Sequence, residues 1–225
     1  MSIVGDAFAK PILRTLDAEP NRWDISSLRV IVSSGVMFAA ETKAGLLRHS
    51  QRLIMVDALG SSEAIGMAQN TTSADGESKT ASFELGPNTK ILTEDGREVQ
   101  PGSDEIGRVA LKGNTPIGYY KDPEKSAKTF QVINGVRWSI PGDWASIDAD
   151  GTVRLLGRGS QCINTGGEKV YPEEVEEALK LHPTVADAAV VGVPDERFGQ
   201  AITALVEPLP GQTIVEADLI AFIKQ

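Results

Sequence analysis

The spacing of apolar residues changes character twice along this chain of 225 residues, near residue 83 and again near residue 157. In the first part, two apolar strand patterns at 28–35 and 52–66 flank a helical pattern at 39–50. A strand, a helix and a strand in this order are typical of an α/β layer. The first part of the chain is therefore predicted to fold as an α/β structure.

The second and third parts have different patterns. From residue 83, short strand patterns alternate with turn sequences such as Glu-Asp-Gly and Ala-Asp-Gly, which favour hairpins and predict a small β unit or barrel. After residue 157 the sequence predicts a small α+β structure. Its expected elements are a helix from Pro172, strands at 185–193 and 201–208, and a helix from about Glu216. We therefore predict an α/β part over 1–82, a β-rich part over 83–157, a small α+β part over 158–225 and a hinge near 157–160.

Two further segments receive a local prediction. Residues 6–18 have the apolar spacing of a helix, in which Pro11 introduces a kink. Residues 70–82 are polar and rich in Ser and Thr, so we expect a loop there.

The helix predicted from Pro172 has a well-marked start. Proline is tolerated in the first turn of a helix, and the four glutamates that follow within five residues complement the positive end of the helix dipole. Its apolar side is assigned to Val175, Leu179 and Leu181. The preceding pair Gly166-Gly167 permits either a plain turn or the close approach of a ligand, and the local sequence leaves both readings open.

Composition excludes several classes of function. The formal net charge is −9, from 22 basic and 31 acidic residues, which disfavours nucleic acid and anionic membranes as partners. Cys162 is the only cysteine, so no internal disulfide forms and a reducing cytoplasm is expected. Two histidines and one cysteine are too few for a typical His/Cys metal centre, and no apolar run is long enough to span a bilayer. Oligomerisation stays open.

Five short motifs, in order, carry a resemblance to a known family. The chain resembles the adenylate-forming, AMP-binding acyl-CoA synthetases, and its wording near Gly166 most resembles actinobacterial-type fatty acyl-CoA synthetases. Each motif is weak alone, whereas five in register form a specific signal. The motifs are DALGSSE (57–63), GNTPIGYYKDPEKSAKTF (113–130), WSIPGDWASIDADGTVRLLGR (138–158), CINTGGEKVYPEEVEEAL (162–179) and VVGVPDERFGQAITALV (190–206).

The resemblance implies a two-step ligation. A carboxylic acid reacts with ATP to give an acyl-adenylate and pyrophosphate, and the thiol of coenzyme A then displaces AMP. It also implies Mg²⁺ beside the phosphates and a small C-terminal domain that rotates between the two steps. The chain would supply the later part of the large domain and the first part of the small one.

The same resemblance assigns roles to individual residues. Asp143 would bind the ribose hydroxyls and Arg158 ribose and phosphate oxygens, while Ser62 and Glu63 would be catalytic, with Glu63 as the Mg²⁺ ligand. The other implied nucleotide-binding residues are Gly35, Asp57, Leu59 and Gly60; the CoA-binding residues are Gly166, Gly167 and Glu168; the hinge residue is Ser160.

Several of these roles have a structural alternative. Asp143 is also a residue type that favours turns, and the Gly-Ser-Ser-Glu segment could instead cap the N-terminus of a helix. Gly35 could simply end a strand in a turn. Lys169 is expected at the surface, and Cys162 as a small packed residue. Two positions depart from the family pattern: Leu59 replaces an adenine-stacking aromatic residue, and Ser160 replaces a hinge Asp or Lys.

Two family segments have no counterpart in this sequence, namely the Ser/Thr/Gly-rich phosphate loop and the adenylation lysine near the end of the small domain. Lys224 comes too early for that lysine and is expected in the last turn of a helix. We therefore expect a fragment that makes little adenylate by itself. The alternatives are a nucleotide-binding regulatory pseudoenzyme and an acyl-AMP ligase that loads a carrier protein.

Overall fold

The computed structural model describes residues 1–20, 22–76 and 79–224, except for the side chain of residue 160. The chain divides into two compact units. Unit 1 consists of Met1–Pro141 and Ala145–Leu155, and unit 2 of Gly142–Trp144 and Leu156–Gln225. The predicted part boundaries and the hinge near 157–160 stay predictions.

Unit 1 begins with the predicted α/β layer. Its first three strands are parallel neighbours, and their helices cover an apolar core that includes Phe38 and Leu46. Pro11 lies inside the first helix, where the Thr15 hydroxyl donates to its carbonyl at 2.9 Å. The elements are β1 (Ser2–Ile3), α1 (Gly5–Ala18), β2 (Val30–Ser34), α2 (Ala40–His49) and β3 (Ile54–Ser61).

The next strands turn the sheet from parallel to antiparallel. β4 (Ala64–Thr72) returns along β3 after a two-residue turn, and β5 (Ser82–Leu85) pairs with β4. The loop predicted over 70–82 is therefore wrong at both ends. Thr72, although polar, is fully buried in the antiparallel pairing, which overrides its local preference.

The β-rich part agrees with the predicted short strands. Its core contains Met67, Ile91 and Val109, and both predicted Asp-Gly sequences lie in turns. One helix here was missed: Asp122 caps it through its side chain, which accepts the Lys125 N–H at 2.9 Å. The elements are β6 (Thr89–Leu92), β7 (Gly107–Lys112), α3 (Pro123–Thr129), β8 (Phe130–Ile133), β9 (Val136–Ser139), β10 (Asp143–Ile147) and β11 (Val153–Arg158). The strand order is β1-β2-β3-β4-β5-β11-β10-β7-β9-β8, with β6 beside β7.

Unit 2 carries a separate four-stranded sheet in the order β13-β12-β15-β14. The predicted helices and the two long strands are confirmed, and Leu179 is buried in their core. Leu181 is wrong as a core residue: it caps the helix, which ends at Lys180, and 65% of it is exposed. The elements are a 3₁₀ turn (Gly159–Gln161), β12 (Ile163–Thr165), β13 (Glu168–Val170), α4 (Pro172–Lys180), β14 (Val185–Asp195), β15 (Gly199–Pro208) and α5 (Glu216–Ile223).

Candidate functional site

In unit 1, candidate residues lie where parallel strands end. Ser34 in β2 is the register partner of Ala58 in β3, so Gly35 and Leu59 follow at the same edge of the sheet. Ligands of open α/β sheets bind outside the carboxyl ends of such strands. Gly35 has a φ of +88°, and a Cβ atom there would meet nothing closer than 3.9 Å. Backbone conformation, rather than crowding, therefore explains this glycine.

Ser62 and Glu63 form the two-residue turn between β3 and β4. The helix N-cap alternative for Gly-Ser-Ser-Glu is wrong, because the chain reverses directly into an antiparallel strand. Ser62 is exposed and Glu63 is half-buried. Gly60 is close to this turn: a Cβ atom there would lie 3.3 Å from the Ala64 carbonyl oxygen. The short turn displays both candidate side chains at the strand end.

The Glu63 turn is held at two points. The Tyr119 hydroxyl donates to Glu63 Oε1 at 2.6 Å, and the Ser139 hydroxyl donates to the Glu63 carbonyl oxygen at 2.7 Å. The hydrogen bond from Tyr119 is the main cause that lowers the pKa of Glu63 from its ordinary value. The Ser61 hydroxyl also contributes to this lowering, although it is buried without a hydrogen bond of good geometry to a described residue. Glu63 is therefore an ionised carboxylate in a defined place.

Asp57 is buried inside the α/β layer of unit 1, and the sequence analysis predicted no partner for its carboxylate. Lys43 Nζ of α2 lies 3.4 Å from Asp57 Oδ2, and both side chains are at least nine-tenths buried. The same ammonium donates to the Lys79 carbonyl oxygen at 2.9 Å. Burial lowers the pKa of Lys43 and raises the pKa of Asp57. Asp57 thus has a structural role in this pair, and its part in nucleotide binding stays a prediction.

Leu59 is half-buried and packs against the core of the β-rich part. It pairs with Ala68 across β3 and β4. A leucine here supplies an apolar contact surface, without the ring geometry of the family's aromatic residue.

In unit 2, Asp143 and Arg158 meet at the open end of one hairpin. Asp143 is the first residue of β10 and Arg158 the last of β11, and Arg158 Nε lies 3.3 Å from Asp143 Oδ1. The Asp143 side chain is 9% exposed, whereas that of Arg158 is 56% exposed. Beyond the pair, the Gly159 N–H donates to the Gly142 carbonyl oxygen at 3.0 Å. One nucleotide-binding candidate is thus fixed by burial, and its cationic neighbour is accessible.

Glu173 is a residue that the sequence did not single out. It lies in the first turn of α4, and its Oε2 atom is buried without a hydrogen-bond partner among the described residues. Burial raises the pKa of this carboxyl group. The carboxylate also fills the space in which a Cβ atom of Gly157 would lie. A glutamate in the first turn of a helix is ordinary, so the sequence gave no sign of this contact.

Gly166 and Gly167 are the two loop residues of the β12–β13 hairpin, in which Thr165 pairs with Glu168. Their φ angles are +59° and +93°, as a type I′ turn requires at both central positions. The Gly166 N–H donates to the Phe198 carbonyl oxygen at 2.9 Å, which fastens the turn. The glycine pair thus forms a hairpin turn and Glu168 begins a strand, and the role of these residues in binding coenzyme A stays a prediction.

Four other residues of this part of the chain were singled out from the sequence. Lys169 is exposed, with Nζ 5.0 Å from the centre of the Trp144 ring, and Cys162 is half-buried. Lys224 is the C-cap of α5, as expected for the end of a helix. The side chain of Ser160 lies outside the described residues, so its hinge role stays a prediction.

The arrangement also bears on metals and membranes. Among the described residues, no cluster of three or more His, Cys, Asp or Glu is arranged to hold a metal ion. Mg²⁺ in nucleotide enzymes is commonly bound by one or two carboxylates together with the substrate phosphates. A single carboxylate such as that of Glu63 is therefore sufficient for this mode of binding. No helix in the described part of the chain has both the length and the apolar character needed to cross a membrane.

Comparison with known proteins identifies the relatives of this chain. Residues 174–225 match the family model of the AMP-binding enzyme C-terminal domain. The chain is 48% identical over 222 residues to a medium/long-chain-fatty-acid–CoA/3-oxocholest-4-en-26-oate–CoA ligase of Mycobacterium marinum. It is 45% identical over 226 residues to a 3-oxocholest-4-en-26-oate–CoA ligase of Rhodococcus rhodochrous. These alignments cover 98% and 97% of this chain, which spans about 40% of the length of each relative.

Solved structures show the same fold. The amide bond synthetase McbA from Marinactinospora thermotolerans matches 96% of this chain with a TM-score of 0.77 at 26% identity. ATP-bound MatB from Rhodopseudomonas palustris matches 100% with a TM-score of 0.74, also at 26% identity. The matches cover 47% and 44% of those chains. By sequence and by fold, this chain is therefore similar over nearly its whole length to part of the adenylate-forming acyl-CoA ligases, and its residues 174–225 match the AMP-binding enzyme C-terminal domain.

Proposed function

We propose that the chain is part of an ATP-dependent acyl-CoA ligase, which converts a carboxylic acid, ATP and coenzyme A into an acyl-CoA, AMP and pyrophosphate through an acyl-adenylate. Relatives at 45–48% identity are named as such ligases, which supports this proposal. Their names also support an apolar carboxylic acid, a medium or long fatty acid or a steroid side-chain acid, as the substrate class. A cytoplasmic location is proposed with it.

The contact between Asp143 and Arg158 carries the proposal. An ionised carboxylate only accepts hydrogen bonds, so it suits the two hydroxyl donors of a ribose. Arg158 uses one of its five N–H donors on Asp143 and has others for a phosphate or ribose oxygen. A buried acceptor beside an exposed fork of donors is the combination that a nucleoside monophosphate needs.

The Glu63 turn would bind the phosphates of ATP. Ser62 would contribute its exposed hydroxyl, and Glu63 would hold the Mg²⁺ ion that accompanies ATP. The metal would neutralise charge that develops on the phosphates as pyrophosphate leaves. Gly35, Leu59 and Gly60 would border the adenine and acyl groups at the neighbouring strand ends, with Asp57 behind them in its ion pair.

The β12–β13 hairpin would serve the second half-reaction. A turn of two glycines has no side chains, so a thin pantetheine arm could pass close to its backbone. Glu168 begins the strand on the far side of the turn. The hairpin would then place the coenzyme A thiol near the acyl carbon, a contribution of proximity and orientation.

AMP binding by the purified chain tests the proposal by isothermal titration calorimetry. Asp143→Asn and Arg158→Ala should each weaken AMP binding about tenfold or more, the usual effect of one lost charge-assisted hydrogen bond. The same hairpin offers a matched control, because Arg154 lies 3.3 Å from Asp148 and its side chain is 58% exposed. Asp148→Asn and Arg154→Ala should leave AMP binding unchanged. Equal effects at the two pairs would contradict the nucleotide role.

A further inference from the structure

Tyr119 is a site residue that the proposed reaction has not yet used. It lies in the 113–130 motif, which the sequence associated with the family without giving its tyrosines a role. The 2.6 Å hydrogen bond from its hydroxyl to Glu63 Oε1 joins residues 56 positions apart in the chain. The contact therefore exists only in the folded protein, at the one carboxylate of the β3–β4 turn.

The ring of Tyr119 is held by the start of α3. The Tyr119 backbone N–H donates to the Ser126 hydroxyl at 2.7 Å, and that hydroxyl donates to the Asp122 carbonyl oxygen at 2.6 Å. The Lys125 ammonium lies 4.2 Å from the ring centre, and the Phe130 ring packs at 5.7 Å with a tilt of 47°. These contacts with α3 and Phe130 hold the Tyr119 ring on several sides and so fix the position of its hydroxyl.

The bond from Tyr119 is the main contact that directs the Glu63 side chain among the described residues. The Glu63 backbone is fastened separately, since the fully buried Ser139 donates to the Glu63 carbonyl oxygen. Without a bond at Oε1, a glutamate on a two-residue turn would have three rotatable side-chain bonds and the rotamer freedom that goes with them. The hydroxyl takes one position on Oε1, and a carboxylate offers about four lone-pair sites in all.

We propose that Tyr119 is a positioning residue, whose hydroxyl holds the Glu63 carboxylate in one orientation so that its remaining acceptor sites receive the divalent cation carried by the nucleotide. This inference rests on the proposed function. Ordering the carboxylate in advance lowers the entropy lost when the cation binds. A purely structural Tyr119 would fasten the turn and leave cation affinity unchanged.

The test measures Mn²⁺ capture by the purified chain in the presence of ATP, with the free ion followed by electron paramagnetic resonance. Tyr119→Phe should weaken capture about tenfold, as loss of one hydrogen bond to a charged group does. Tyr120→Phe is the matched control, because that neighbouring tyrosine is 88% exposed, and it should have no effect. Glu63→Asp keeps the charge but shortens the side chain, so it should weaken capture as Tyr119→Phe does.

A double substitution separates positioning from general damage. If Tyr119 acts through Glu63, then Tyr119→Phe should add nothing in a Glu63→Gln background. Full Mn²⁺ capture by folded Tyr119→Phe would overturn the inference and leave the proposed function standing. Absence of Mn²⁺ capture in the wild-type chain, with ATP bound, would overturn the cation role of Glu63 and this inference with it. Should Tyr119→Phe fail to fold, unchanged capture by Glu63→Asp would overturn the inference by itself.

Discussion

The carboxylate of Glu173 lies where a side chain on Gly157 would have to lie. Gly157 also has a φ of +128°, a backbone conformation that other residues rarely adopt. The backbone conformation therefore favours glycine at the point where β11 approaches its end, and any side chain there would also have to displace the Glu173 carboxylate.

Replacing Gly157 should destabilise the folded protein by more than backbone strain alone explains. Gly157→Ala is expected to lower the free energy of unfolding by more than the roughly 1–3 kcal/mol that a strained φ angle costs. Gly151→Ala is the matched control, because Gly151 has a φ of +86° and no atom within 4 Å of its Cβ position. Denaturant unfolding of both variants measures the difference. Equal losses would show that Glu173 yields without cost, whereas partial rescue of Gly157→Ala by Glu173→Ala would confirm the clash.

Glu173 should also make stability depend on pH. Burial raises its pKa above the ordinary 4.5, so the folded protein holds the proton more tightly than the unfolded chain. Its contribution to stability is fully present below pH 4.5 and is lost as pH rises through the folded pKa. Glu173→Gln should therefore become more stable than wild type as pH rises above the ordinary 4.5, because the amide cannot ionise. Thermal unfolding at several pH values measures the gain, and the exposed neighbour Glu174→Gln should show none.

The Lys43–Asp57 pair should be sensitive to loss of one partner. Lys43→Met leaves a buried carboxylate uncompensated, and such changes cost about 3–5 kcal/mol. The double variant Lys43→Met with Asp57→Leu should recover much of that loss, because neither charge is then buried. The exposed pair Lys90–Glu98, at 2.6 Å, is the control, and Lys90→Met should cost less than about 1 kcal/mol. Similar losses at the two pairs, measured by denaturant unfolding, would contradict this account.

The two half-reactions should separate in the purified chain. The residues that carry the family resemblance include the Asp143–Arg158 pair and the glycine hairpin, but no phosphate loop. We expect no acyl-CoA from fatty acid, ATP and coenzyme A, and any turnover only from preformed acyl-AMP and coenzyme A. Chromatography of the thioester product measures both reactions. Robust turnover with ATP would contradict this expectation, because it would show that the phosphate loop is dispensable or that other residues of the chain replace it.

The sequence predicted the elements whose signals are local. Pro172 marks the first helical position of α4, and the apolar runs of β2 and β14 form strands because their patterns match the burial that sheets offer. The polar end of β4 was missed, since its strand conformation comes from pairing with β3. Leu181 was misassigned because helix periodicity was carried one residue past the end of the helix.

The sequence predicted only some of the residues of the candidate site. Motif order pointed to Asp143 and Arg158, which do meet in the fold. Lys43, Tyr119 and Glu173 contact residues that are well separated from them in the sequence, and lysine and glutamate are residue types that are common on surfaces. Nothing in a linear pattern shows that a helix lysine will lie beside a strand aspartate, because that contact is set by packing.

Unit 2 is discontinuous in sequence, and this matters to anyone who wishes to express it by itself. It includes Gly142–Trp144, which precede Ala145–Leu155 of the other unit. A gene that starts at the change of pattern near residue 157 would encode Arg158 without Asp143, and Lys169 without Trp144. Dissection of the chain should therefore begin upstream of Gly142 and carry the whole β10–β11 hairpin.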